Sequence, residues 1–207
     1  MPPQPTRARG RLGSSAPAAP TPEEKLNKLN RAISAIMEDD MRTVVSCIPG
    51  HIEVGKVYDI VLNASDSSEG IRKQVRASLL HVALHHRAFQ CAKLLLHLGA
   101  PVEASESDLG DTALHCAARL GGHPFVTLLL QYGASPCSLN AANDTPLHLA
   151  AERGRVHSVC ALLESGASPS AKNRYQETPW DRAVLAGTPS SLVCADLILT
   201  KHLQEKD

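Results

Sequence analysis

Apolar residues in this 207-residue chain recur in short clusters at helical spacing, separated by glycine, asparagine and charged residues at near-constant intervals. Four hexapeptides carry the pattern: Ser78-Leu79-Leu80-His81-Val82-Ala83, Thr112-Ala113-Leu114-His115-Cys116-Ala117, Thr145-Pro146-Leu147-His148-Leu149-Ala150 and Thr178-Pro179-Trp180-Asp181-Arg182-Ala183, spaced by 34, 33 and 33 residues. A second marker keeps the same period. Leu94-Leu95-Leu96 precedes Gly99-Ala100, Leu128-Leu129-Leu130 precedes Gly133-Ala134, and Ala161-Leu162-Leu163 precedes Gly166-Ala167. In each hexapeptide the leading Thr or Ser suits an N-cap, Pro suits the first turn, and Leu and Ala then face inward at helical spacing. Gly121, Gly154 and Gly187 mark the left-handed end of that helix, and the apolar run that follows makes a second one. Each unit is therefore predicted to be a helix pair with a protruding turn. One pair exposes apolar surface on both flanks, so it persists only when neighbours stack on it.

The hexapeptide and its period resemble the ankyrin repeat over roughly residues 71–203. The resemblance implies an all-α fold, an ankyrin-repeat solenoid of stacked helix-turn-helix units with protruding turns. It divides the chain into repeats at 78–111, 112–144 and 145–177, a C-terminal capping repeat at 178–204, and a short tail at 205–207. Upstream, Thr21, Pro22 and Glu24 form a start signal for a helix over about 22–37. The stretch from Ala35 to Val45 resembles the end of one ankyrin helix and the start of the next, with Asp39 in the glycine slot, so 22–48 reads as a degenerate N-terminal capping repeat. Arg87 occupies that slot in the next unit, 48 residues on, which places an inserted finger or loop at 49–77. Within it Val54–Leu62 reads as a short helix or strand and Asn63–Gly70 as a polar turn, with Ser65, Ser67 and Ser68 beside Asp66 and Glu69. The last helix, about 191–203, is expected to turn Leu192, Val193, Leu197, Ile198 and Leu203 into the stack and to leave a polar outer face.

Composition narrows the partners. Aromatics are 3% of residues, so the core must come from Leu, Val, Ile and Ala, which suits closely packed helices. Lys+Arg and Asp+Glu are both 21, and no global field draws nucleic acid or a membrane surface. The chain has no apolar run of the roughly 18 residues needed to cross a bilayer, and no secretory signal. Residues 1–21 form a Pro/Ala/Arg tail, without an acidic group, that is expected to be disordered. Six scattered cysteines without a Cys-x-x-Cys pair read as free thiols. These features point to an intracellular protein of cytoplasm or nucleus, monomeric by itself, whose partners are proteins. Basic residues cluster from Ile71 to Lys93 and acidic ones from Val102 to Asp111, an arrangement that neutralises itself across adjacent turns or orients a partner.

The histidines carry the candidate chemistry. His81, His115 and His148 recur at the fourth hexapeptide position, where the resemblance implies an imidazole that hydrogen-bonds backbone groups between neighbouring turns. His81 and His85 lie four apart with His86 adjacent, which leaves a zinc or catalytic reading open, yet no Cys or carboxylate completes a ligand set. No phosphate loop, nucleophile elbow or metalloprotease sequence is present, so no enzyme, catalytic residue, metal or cofactor is expected. The resemblance implies instead a concave groove lined by turn tips and the exposed side of each first helix. Position by position it assigns His85 and His86; Asp108, Leu109, Asp111, Arg119 and Leu120; Ala142, Asp144, Glu152 and Arg153; and Arg174, Tyr175 and Glu177. Leu109, Leu120 and Tyr175 stand out, because water-facing tips need no such groups. The implied function is a non-enzymatic scaffold or adaptor that inhibits or recruits a signalling or transcription factor, with a constitutive structural subunit as the alternative.

Overall fold

The computed structural model describes residues 21–48, 56–63, 72–105 and 109–204. Helix pairs follow one another along it: α1 (Pro22–Met37) with α2 (Met41–Cys47), α3 (Leu79–His85) with α4 (Phe89–His97), α5 (Ala113–Leu120) with α6 (His123–Gln131), α7 (Pro146–Glu152) with α8 (Val156–Glu164), and α9 (Pro179–Ala186) with α10 (Pro189–Gln204). First helices stack on first helices, α5 on α7 on α9, and second helices on second helices, α6 on α8 on α10. The solenoid is all-α. The insertion before α3 adds an antiparallel hairpin, β1 (Val57–Asn63) and β2 (Arg72–Ser78), in register from Val57↔Ser78 to Asn63↔Arg72. Of the stretch Val54–Leu62, left open between helix and strand, the part from Val57 is strand, as its β-branched and aromatic content favours, and residues 54 and 55 lie outside the described residues.

Local chemistry sets the helix ends. The Glu24 N–H donates to Thr21 Oγ1 at 3.3 Å and the Thr21 N–H to Glu24 Oε2 at 2.9 Å, a reciprocal cap that starts α1. The first helices end on left-handed residues: Gly121, Gly154 and Gly187 at φ 77°, 63° and 62°, and Asp39 and Arg87 at 53° and 56°. The non-glycine residues keep the geometry of the slot at a steric cost of roughly 1–2 kcal/mol each. Asp39 has a compensating bond, to the Cys91 N–H of α4.

The core is aliphatic, as the low aromatic content requires. Leu80, Leu95, Leu114, Leu129, Leu147 and Leu162 are fully buried, and Ala83, Ala117, Ala150 and Ala183 let neighbouring first helices approach closely. Cys47, Cys91, Cys116 and Cys194 are buried free thiols and Cys137 is exposed.

The last helix corrects the expectation of a polar outer face. Ser191, Cys194, Ala195 and Ile198 turn inward, whereas Leu192, Val193 and Leu203 are 45%, 48% and 55% exposed. The phase set by its start at Pro189 faces the 191/194/195/198 stripe to α8 and sends those three apolar side chains to water. Readings that fall on residues 1–20, on the serines at 65, 67 and 68, and on Asp108 lie outside the described residues.

Candidate partner-binding groove

Successive units are joined by histidine. His81 Nε2 lies 3.3 Å from the Asp111 carbonyl, His115 Nε2 2.9 Å from that of Asp144, and His148 Nε2 3.1 Å from that of Glu177. A carbonyl only accepts, so Nε2 carries the proton in each case, and Nδ1 is left to accept. It does so from the hydroxyls of Ser78, Thr112 and Thr145 at 2.8, 2.9 and 2.8 Å. Burial holds the His115 and His148 imidazoles below their ordinary value, against the opposing pull of the carbonyl bonds and nearby carboxylates. Both ring nitrogens of His81 are engaged in this way, which removes it from the zinc reading; among the described residues no group of three or more His, Cys, Asp or Glu could hold a metal. Asp181 takes the fourth position in the last pair, where it accepts from the Thr178 N–H at 2.7 Å and reaches no further turn.

A second ladder shapes the turn tips. Asn140 Oδ1 accepts from the N–H groups of Ala142 and Asp144 at 2.9 and 3.0 Å, and its Nδ2 donates to Asp111 Oδ1 at 2.8 Å. Asn173 repeats the arrangement one unit on, with Oδ1 accepting from Tyr175 and Glu177 at 2.9 and 3.0 Å and Nδ2 donating to Asp144 Oδ1 at 2.8 Å. Each asparagine thus folds its own turn and ties it to the preceding one. Asn140 and Asn173 recur one repeat apart, as do Asp111 and Asp144, a signal in the sequence outside the hexapeptide pattern.

This frame sorts the assigned residues. Asp111 and Asp144 are 1% and 5% exposed and serve the joints, Asp111 also meeting Arg119 at 3.2 Å. Glu152 and Glu177 both pair with Arg182, which leaves them half-buried. Leu109 and Tyr175 project from the tips at 50% and 65% exposure, with the Arg174 and Arg153 side chains also exposed. Arg174 donates to the Ala141 carbonyl and so bridges two tips, one of which contains Ala142. His85, His86 and Leu120 are half-buried at the ends of their first helices, and burial together with the neighbouring His85 lowers the His86 value. A recess of about 220 Å³ opens beside them, walled by Leu84, Arg87, Ala117, Leu120 and Phe125. A wider one of about 590 Å³ lies over the second helices, where Phe89 meets Phe125 edge-on at 5.3 Å and Tyr132 meets His97 at 5.5 Å.

No helix is long and apolar enough to cross a membrane among the described residues. The family model for ankyrin repeats in three copies matches at residues 50–143, 80–173 and 122–205. The chain is similar to Palmitoyltransferase ZDHHC13 of Mus musculus, 42% identical over 59 residues, and to that of Homo sapiens, 44% identical over 59 residues. That stretch is 28% of this chain and 10% of each relative, so the chain matches about a tenth of their length. With the family model spanning residues 50–205 and the histidine joint repeated between successive helix pairs, the chain belongs to the ankyrin-repeat family.

Proposed function

We propose that the protein is an adaptor that binds a folded protein or peptide along the row of turn tips and first-helix ends, and by that binding inhibits or recruits a signalling or transcription factor. Ankyrin-repeat domains mediate protein–protein interaction and are typically non-catalytic scaffolds, which sets the class. The observation that supports the site is the exposure of Leu109 and Tyr175, 50% and 65%, where Asn173 folds the tip that carries Tyr175 and the Leu109 carbonyl accepts from the Ala141 N–H of the next tip. Rigid apolar and aromatic groups that need no reordering make efficient anchors. Arg174, next to Tyr175, and Arg153, the C-cap of α7, add exposed positive charge, while Glu152 and Glu177 are held by Arg182. The transferase activity named for the relatives is no part of this proposal, since the shared stretch is a tenth of their length.

The test is affinity capture from cell extract with identification by mass spectrometry, repeated with Leu109→Ser, Leu120→Ser and Tyr175→Ser combined. Loss of the captured partner with a nearly unmoved circular-dichroism melt supports the groove. Equal capture by the triple variant moves the binding surface elsewhere, with the hairpin insertion next in line.

A further inference from the structure

Arg87 holds a left-handed backbone, φ 56°, in the slot that Gly121, Gly154 and Gly187 fill in later units. Asp39 carries the same strain and gains the bond to the Cys91 N–H. The Arg87 side chain gains none: it is exposed and makes no hydrogen bond or ion pair among the described residues. Strain that nothing inside the chain offsets points to a use outside it. Arg87 walls the recess of about 220 Å³ beside the ends of α3 and α5, where Leu84 and Phe125 are buried and Leu120 is half-buried. From a later unit Arg155, exposed and likewise without a side-chain bond among the described residues, packs on the corner of that recess. A side chain at Gly121 would come within 2.5 Å of Arg155 Nε, and one at Gly122 within 2.6 Å of the Phe125 ring. Two glycines thus let a guanidinium and an aromatic ring close together over one corner.

We propose that Arg87 and Arg155 read an acidic segment of a partner protein, one large apolar side chain of which, Leu or Phe, enters this recess. The proposal rests on the adaptor reading for the class of partner and adds its chemistry, carboxylates around an apolar anchor. No acidic residue lines the recess. The carboxylates of the neighbouring units are already engaged, Asp39 with α4 and Glu152 with Arg182. An arriving carboxylate therefore meets two guanidinia that give up no internal ion pair to receive it, and a basic segment would set like charge on like. The volume lies below the roughly 300–1,000 Å³ of small-molecule sites, which suits a single side chain better than a cofactor.

The test is fluorescence anisotropy of the full chain with the labelled peptide Gly-Glu-Glu-Leu-Glu-Glu-Gly. It is run beside the same peptide with Ser for Leu, the same with Gln for Glu, and an oligouridylate of equal charge. Saturable binding of the first peptide, weakened by either replacement and not matched by the oligouridylate, is the expected result. Arg87→Gly and Arg155→Gln should each raise Kd by about tenfold, ~1.4 kcal/mol. Arg87→Gly should do so without lowering the thermal midpoint, since glycine suits the left-handed backbone. Lys28→Glu, exposed on α1, should leave Kd unchanged. Absence of saturable binding, equal binding of either altered peptide or of the oligouridylate, or a Kd indifferent to the arginines would each overturn the proposal. So would a Kd moved as far by Lys28→Glu, or an Arg87→Gly chain less stable than the parent. Partner capture that depends on Leu109 and Tyr175 would stand in any of these cases, so the adaptor reading fails or survives by its own test.

Discussion

Asp39 caps a helix to which it does not belong: its Oδ1 accepts from the Cys91 N–H at 2.9 Å and its Oδ2 from the Gln90 N–H at 3.4 Å. The N-cap of helix α4 is Ala88, whose side chain supplies no cap. A carboxylate from the preceding unit thus meets two of its orphan donors and the positive end of its dipole. Ankyrin-type repeats place glycine here. Asp39 accepts a left-handed backbone in order to reach across the joint. Asp39→Ala keeps the strained backbone without the cap and should cost about 1–2 kcal/mol in urea unfolding. Asp39→Gly relieves the strain and should cost less. Equal losses in the two variants would show that the cap, and not the backbone, sets the energy.

The histidine joints make stability depend on pH in one direction. His115 and His148 have folded values below the ordinary 6.5, so the unfolded chain takes up protons first as the solution is acidified. Their contribution is fully present above the unfolded value and is lost as pH falls through it towards the folded one. The thermal midpoint should be level above about pH 7 and fall steadily as the pH drops below about 6.5. His148→Gln should lower the midpoint at pH 7.5 and flatten the slope below 6.5. A midpoint that rises on acidification would contradict the tautomer assigned from the carbonyl contacts.

Periodicity made the stack legible because packing between identical units repeats the same demand: Leu114 and Leu147 sit one repeat apart and are both fully buried. It also exposed the slot shared by Asp39 and Arg87, whose φ values fall with those of the glycines. Where the demand ends, the pattern misleads. Leu192 follows the register of buried Val159, yet no further pair covers it among the described residues, so its hydrophobicity says nothing of burial. The groove shows the opposite failure. Asp111 and Asp144 read as free tip residues because a carboxylate is usually solvated. Their burial follows from bonds to Asn140 and Asn173, 29 residues away in each case and in the turn of the following unit, which the patterning of a single helix does not connect.

Leu147 measures how much of the array depends on one joint. It is fully buried, so Leu147→Ala should destabilise the protein by about 2–5 kcal/mol, a large share of the roughly 5–15 available to a domain. Leu185→Ala, at a site 70% exposed, should stay within about 0.5 kcal/mol. Paired urea titrations give both numbers. Comparable losses at the two sites would mean that Leu185 is covered in solution.

Asn173 links stability to the groove, because one side chain folds the tip that carries Tyr175 and fastens it to Asp144. The side chain is 2% exposed, and its Nδ2 also donates to Glu177 Oε2 at 3.2 Å. Asn173→Asp keeps the Oδ1 acceptor for the Tyr175 and Glu177 N–H groups but sets a carboxylate against Asp144 Oδ1, where a donor stood. Two buried carboxylates in contact cannot both ionise cheaply, so at least one takes a raised value in the folded state. The penalty, about 2–4 kcal/mol at pH 7.5 relative to the parent chain, is present above that raised value and shrinks as pH falls through it. Measured as a difference from the parent at each pH, it separates from the histidine effect, which both chains share. Partner capture should fall at pH 7.5 with the loss of a fixed Tyr175 and recover in part at a lower pH, where a proton shared between the two carboxylates restores the link across the turns. A difference that does not vary between these two pH values would place the cost in the turn itself and leave the bond to Asp144 without weight.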